Sequence, residues 1–156
     1  MNYEFVEAMI EREDSLEAWR KALEAIRERT ALGPHDIELA DVDGDRIVLE
    51  MPMGDHARQV VGLLHGGVSA LLAETAASMH ACWGVDLTRR GPVGIELNAT
   101  HLRSATDGTI RSVGKVLRRG ATHVQHRVEI RHLERGEVLT ECRVINYLRP
   151  HDGSEA

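Results

Sequence analysis

Gln59-Val-Val-Gly62-Leu-Leu-His65-Gly66-Gly67-Val-Ser-Ala70-Leu-Leu-Ala-Glu74-Thr-Ala-Ala-Ser78 is the stretch on which the fold turns. Two glycines ahead of a helical run let the chain turn sharply and bring free backbone N–H groups close to a ligand. Those amides sit at the positive end of the helix dipole, where a developing anion is stabilised. A helix starting near Gly67 puts Val68, Leu71, Leu72, Thr75, Met79 and Trp83 on one stripe. Glu74 falls elsewhere, beside Ala70, Ala77 and Ala81, with Ser78 one turn further on. The bulky stripe is expected to face a sheet and the small face to let another backbone approach. A carboxylate on the small face of such a helix is costly unless it has a task.

Outward from this stretch, the pattern is that of strands. Upstream, Ile37, Leu39 and Val42 predict one strand and Ile47, Leu49 and Met51 a second, with Asp43-Gly44 as the hairpin turn. Downstream, Gly91-Pro92 restarts the chain, and Val93, Ile95, Leu97 and Ala99 alternate with Gly94, Glu96, Asn98 and Thr100. Turns at Thr106-Asp107-Gly108, Arg119-Gly120 and Glu134-Arg135-Gly136 divide the remainder into three more strands, the last ending near Leu148. A tail is expected from Pro150. Two strands, one long helix and four strands joined by tight turns imply one antiparallel sheet curled around a central helix, an α+β arrangement. Such a sheet keeps edges, and edges invite pairing with a second subunit. Ahead of all this, Asp14 to Arg29 predicts a further helix with Leu16, Trp19, Leu23 and Ile26 on one face, capped by Asp14 with Glu17 and ended by Gly33-Pro34. Its expected role is packing, with no chemistry.

Composition narrows the functions. The 156 residues suit one domain, and the net charge of −6 argues against a general polyanion-binding surface. Five aromatic residues are too few for base-stacking platforms. Cys82 and Cys142 lie far apart without metal-type pairing, as expected of free thiols in a reducing compartment. The acidic N-terminus does not read as a secretory signal and no apolar run reaches membrane-spanning length, so a cytoplasmic protein is expected. None of the nine histidines shows the paired spacing of a zinc site, and His80, His126 and His132 are expected to be surface or satisfied sheet residues. Asn98 stays ambiguous between binding substrate and satisfying a backbone group.

The combination Gln59…His65-Gly66-Gly67…Glu74…Ser78, with the second block Gly94-Ile-Glu-Leu-Asn98-Ala-Thr-His101-Leu-Arg103-Ser104, resembles the hotdog-fold acyl-CoA thioesterases. The similarity is to the branch that includes 4-hydroxybenzoyl-CoA and 1,4-dihydroxy-2-naphthoyl-CoA thioesterases. It covers residues 35 to 149, leaving residues 1 to 34 as an N-terminal helical extension and 150 to 156 as a tail. The resemblance implies a hotdog fold of about six antiparallel strands around one long helix. It implies hydrolysis of an aromatic or medium-chain acyl-CoA, with no metal or redox cofactor and coenzyme A entering only as part of the substrate. In that scheme the Gly66 N–H polarises the thioester carbonyl and Glu74 is nucleophile or general base. Gln59 holds the carbonyl or the attacking water, Ser78 helps position water or Glu74, and His65 braces the loop. For coenzyme A the resemblance points to Gly94, His101, Leu102, Arg103 and Ser104, and to the turn of Arg118, Arg119, Gly120, Ala121, Thr122 and His123. Arginine forks and turn amides suit its phosphates. Val61, Leu63, Leu64, Val68 and Met79 are expected to wall the acyl pocket.

Glu74 lies seven residues past Gly67, roughly 10 Å along the helix, so one chain does not bring both groups to one carbonyl carbon. Active sites shared across a homodimer are therefore expected, with a homotetramer of two such dimers. Two other functions fit less well. A hotdog hydratase or dehydratase acting on 3-hydroxyacyl thioesters would use His65 as its base. A non-catalytic acyl-CoA-binding regulatory dimer would have no use for Glu74.

Overall fold

The computed structural model describes residues 14–151. The acidic N-terminus and the last five residues of the expected tail lie outside them. Six strands form one antiparallel sheet: β1 (Glu38–Val42), β2 (Arg46–Pro52), β3 (Arg90–His101), β4 (Thr109–Arg119), β5 (His123–His132) and β6 (Glu137–Pro150), in the order β1-β2-β4-β5-β6-β3. The long helix α2 (Gly66–Ala81) lies against it, and α1 (Leu16–Ile26) packs beside α2. This is the expected hotdog arrangement.

The helix meets the sheet about a quarter turn away from the expected stripe, sharing only Leu72 with it. Ser69, Leu72, Ala73, Ala76, Ala77 and His80 are buried, while Val68, Leu71, Thr75 and Met79 are only half-buried. A sheet that curls around a helix leaves little room at the line of contact, so small residues take it. Ala76 lies near Gly114 of β4, where an added methyl would stand 3.1 Å from Ile47. The larger side chains are turned to the flanks. Met79 lines a separate cleft of about 390 Å³ with Leu23, Leu39 and Leu49, between α1 and the first strands. The acyl pocket expected from Val61, Leu63, Leu64, Val68 and Met79 is therefore not assembled within one chain.

Helix α1 joins the same core through Trp19, Ala22 and Leu23, and Trp19 tilts against Trp83 with ring centroids 5.6 Å apart. Its cap is Ser15, whose hydroxyl accepts from the Ala18 N–H, rather than Asp14. Asp14 instead accepts from Trp19 Nε1 and from the Gly84 N–H, tying the start of α1 to the end of α2. Arg20 of α1 and Arg27, which caps its C-terminal end, reach over the outer edge at β1. Arg20 donates to the carbonyls of Leu39 and Ala40, and Arg27 to that of Ile37. A bulge between Leu39 and Asp41 explains how Leu39 and Val42, three residues apart, both point inward.

Among the described residues the opposite edge is bare: β3 pairs only with β6, and Val93 and Ile95 are 44% and 55% exposed. β6 runs two residues past the expected end, and His151 is held by bonds to Arg89 O and Leu87 O. Cys142 is a buried thiol, and Cys82 Sγ donates to the Ser78 carbonyl. Among the described residues, no helix is long and apolar enough to cross a membrane.

Candidate active site

The loop entering α2 is tightly specified. Arg58 donates to the carbonyls of Gly62 and Thr106, and the Gln59 and His65 amides donate to Leu63 O and Ala57 O. Gln59 Oε1 accepts from the Val61 N–H at 2.8 Å, so its oxygen closes its own turn and its amide nitrogen keeps its donors. His65 is the N-cap of α2, its Nδ1 accepting from the Gly67 N–H at 2.8 Å. That bond places the proton of the neutral ring on Nε2. The His65 carbonyl accepts from the Val68 and Ser69 amides. The Gly66 N–H is left without a hydrogen bond among the described residues, at the positive end of a 16-residue helix.

Gly66 also lies close to a side chain of β3. A methyl there would lie 2.7 Å from Nε2 of His101, whose ring stands against the helix terminus while Nδ1 meets Thr140 Oγ1 at 3.0 Å. His101 thus sits beside the Gly66 amide. Of its neighbours, Leu102 is half exposed, Arg103 donates to Val138 O, and the Ser104 carbonyl accepts from Arg135.

Glu74 lies eight residues from Gly66, about 12 Å along the axis. Its carboxylate rests on β3: a methyl on Gly94 would come within 2.5 Å of Glu74 Oε1. Gly94 is where β3 bulges, between Gly94 and Glu96, so backbone and carboxylate meet at an irregular point of the edge strand. An open cleft of about 470 Å³ runs along this flank, lined by Gly67, Ala70, Leu71, Glu74, Ser78 and Leu97. Ser78 accepts from Asn146 Nδ2 at 2.8 Å. Asn146, fully buried on β6 opposite Gly94, was not singled out in the sequence. Its signal was a polar residue at the inward register between Val144 and Leu148. Asn98, by contrast, is exposed.

The other coenzyme candidates lie at the far end of β3. The turn from Gly120 to His123 is held by Arg90 donating to the Ala121 carbonyl, by the Leu148 N–H to Thr122 O, and by the tilted contact of the His123 ring with Tyr147. Arg119 is engaged elsewhere, donating to the carbonyls of His80 and Trp83 at the C-terminal end of α2. No hydrogen bond from Arg118 occurs among the described residues. The two groups, 101–104 and 118–123, are separated by the length of β3, roughly 35 Å for twelve residues.

The three histidines expected at the surface or satisfied in the sheet are all buried. His80 Nε2 lies 2.8 Å from the Asp43 carbonyl, which only accepts, so His80 carries its proton there. His80 Nδ1 then accepts from His126 Nε2 at 2.9 Å, and His126 Nδ1 is left buried without a partner. Burial, with the neighbouring His80 and Arg119 charges, pushes the His126 pKa down to about 3, and burial also lowers that of His80. His132 sits between Asp107 and Glu134, 3.1 Å from each.

Residues 61–139 match the family model described as Thioesterase superfamily. The chain is 36% identical over 110 residues to 1,4-dihydroxy-2-naphthoyl-CoA hydrolase of Escherichia coli, covering 70% of this chain and 80% of that one. It is 34% identical over 132 residues to the proofreading thioesterase EntH of Klebsiella pneumoniae, covering 81% and 95%. The mutant thioesterase PA1618 of Pseudomonas aeruginosa superposes with a TM-score of 0.81 at 25% identity, over 92% of this chain and 99% of that one. With its helix-end amide, cleft carboxylate and curled sheet, the chain belongs to the thioesterase superfamily and is a thioester hydrolase.

Proposed function

We propose that the protein hydrolyses an aromatic or medium-chain acyl-CoA to the free acid and coenzyme A, in a homodimer whose active sites are shared. One observation carries this reading: the Gly66 amide, without a hydrogen bond among the described residues, and the cleft carboxylate of Glu74 are about 12 Å apart on one helix. One thioester carbon is reached by both only if they come from different chains. The bare β3 edge, with Val93 and Ile95 exposed, gives the means. Antiparallel pairing of β3 with the same strand of a second copy brings the His101 end of one chain to the Arg90 end of the other. That joins the two separated groups of coenzyme candidates. Arg118 and the turn Gly120–His123 of one subunit would then face the phosphates, with His101 to Ser104 of its partner. Two such dimers would form the homotetramer.

In the reaction, the Gly66 N–H binds the oxyanion that develops as the carbonyl carbon is attacked. Glu74 either attacks that carbon, giving an anhydride that water opens, or takes the proton from the attacking water. In both routes the C–S bond breaks and coenzyme A leaves as the thiol. Gln59 offers its amide N–H donors to the carbonyl or the water, and Ser78 orients Glu74 or the water. The His65 Nδ1 lone pair is engaged by the Gly67 N–H, which supports a bracing role and counts against a hydratase using His65 as base. No metal or redox cofactor has a part in this scheme, and the cytoplasm is the proposed compartment.

The test is a panel of acyl-CoA substrates read with a thiol reagent. Glu74→Gln is expected to lower kcat by about 10²–10⁴-fold while coenzyme A binding persists. Near-wild-type turnover in that variant would remove Glu74 from the chemistry.

A further inference from the structure

We infer that Asn146 is a positioning residue for this hydrolysis, setting the direction in which the Ser78 hydroxyl presents its proton; the inference rests on the thioesterase reading above. Asn146 is fully buried at an inward position of β6, with Val144 and Leu148 as its inward neighbours along the strand. Nδ2 donates to Ser78 Oγ at 2.8 Å, and Oδ1 is buried with no hydrogen bond among the described residues. A buried carboxamide oxygen with no protein partner is costly to stability. A residue retained at such a cost in a strand interior marks a functional demand.

The demand follows from where Ser78 lies. It is one helical turn past Glu74, and both line the cleft. A hydroxyl has one proton to give and two lone pairs. One lone pair is taken by the Asn146 amide, so the proton is turned away from β6. Serine within a helix often donates to the carbonyl four residues back, here that of Glu74, and no such bond is present among the described residues. The direction left is the cleft, where the Glu74 carboxylate and the attacking water need a donor. Asn146 thereby makes Ser78 a donor toward the reacting groups, and it does so without touching substrate. Gly94, its partner across the β3–β6 pair, leaves the room in which the carboxylate receives that proton.

A double-mutant cycle on the best substrate of the panel tests this. Asn146→Ala is expected to lower kcat about tenfold with KM held within about twofold, the scale of one lost hydrogen bond to a charged group. In a Ser78→Ala background the same change is expected to cost nothing further, because Asn146 acts only through that hydroxyl. Losses that multiply would overturn the inference, as would an unchanged kcat in Asn146→Ala. Asn146→Asp keeps the shape if the alanine variant does not fold. Its carboxylate would draw the Ser78 proton back toward β6, so a fall in kcat supports the inference and wild-type kcat overturns it. Failure of the underlying mechanism reads differently, as full turnover in Glu74→Gln with position 146 left intact.

Discussion

Lowering the pH from 7 to 5 is expected to destabilise the folded chain through the buried pair His80 and His126. Both rings are fully buried, and burial disfavours the charged form of each. A histidine in the unfolded chain takes up its proton near pH 6.5, whereas His126 in the folded state resists until about 3. Below pH 6.5 the unfolded state therefore binds more protons than the folded one. Stability from this residue is intact above that pH and is lost as the pH falls toward 3. Integrating between pH 7 and pH 5 gives about 2 kcal/mol from His126 alone. His80, shifted in the same direction, adds to the loss. The assay is urea unfolding at a series of pH values and at one fixed protomer concentration, since assembly would shift the apparent stability. His126→Gln keeps an N–H for His80 Nδ1 and cannot titrate, so its stability should fall by about 2 kcal/mol less than wild type over the same interval. If variant and wild type lose stability in parallel, His126 is not excluded from protonation by the fold, and the assignment of its proton is wrong.

Three further outcomes follow from the geometry. Gly94→Ala places a methyl 2.5 Å from Glu74 Oε1 on an exposed edge strand, so kcat is expected to collapse while the thermal midpoint barely moves; equal kcat would mean the carboxylate works from elsewhere. Arg119→Met removes the guanidinium from the carbonyls that end α2 and is expected to cost about 1 kcal/mol in urea unfolding, whereas Arg118→Met should raise KM for acyl-CoA without that loss. Ile95→Lys puts a charge on the bare β3 edge, and light scattering should report monomers with little activity; an active monomer would sink the shared site.

The strands were legible because alternation is a local signal: Ile47, Leu49 and Met51 point inward as their spacing demands. The start of α2 was equally plain, since Gly66 and Gly67 interrupt an apolar run. The buried face of that helix was not. Side-chain size alone sends Leu71 and Met79 inward, but a sheet that curves around a helix selects for narrow residues along the contact line, and curvature is a property of the whole sheet. Asn146 escaped because its partner strand and the bulge at Gly94 are set by pairing across some fifty residues of chain. Asp14 was misplaced by one position because Ser15 competes for the same cap, and only tertiary contact with Trp19 and Gly84 decides between them.

Arg20 of α1 and its C-cap Arg27, laid over the β1 edge, limit how the sheet can grow. With the carbonyls of Ile37, Leu39 and Ala40 already receiving donors, one flank offers an incoming strand little to bind. Joining two copies through β3 would consume the open flank of each and leave a guarded one at either extremity. Edge-to-edge pairing would then stop at two strands of β3, so the sheet closes on a twofold axis rather than growing into a fibre, and a tetramer would have to join dimers by another face. On this view the helix that carries no chemistry guards the chain against endless self-addition.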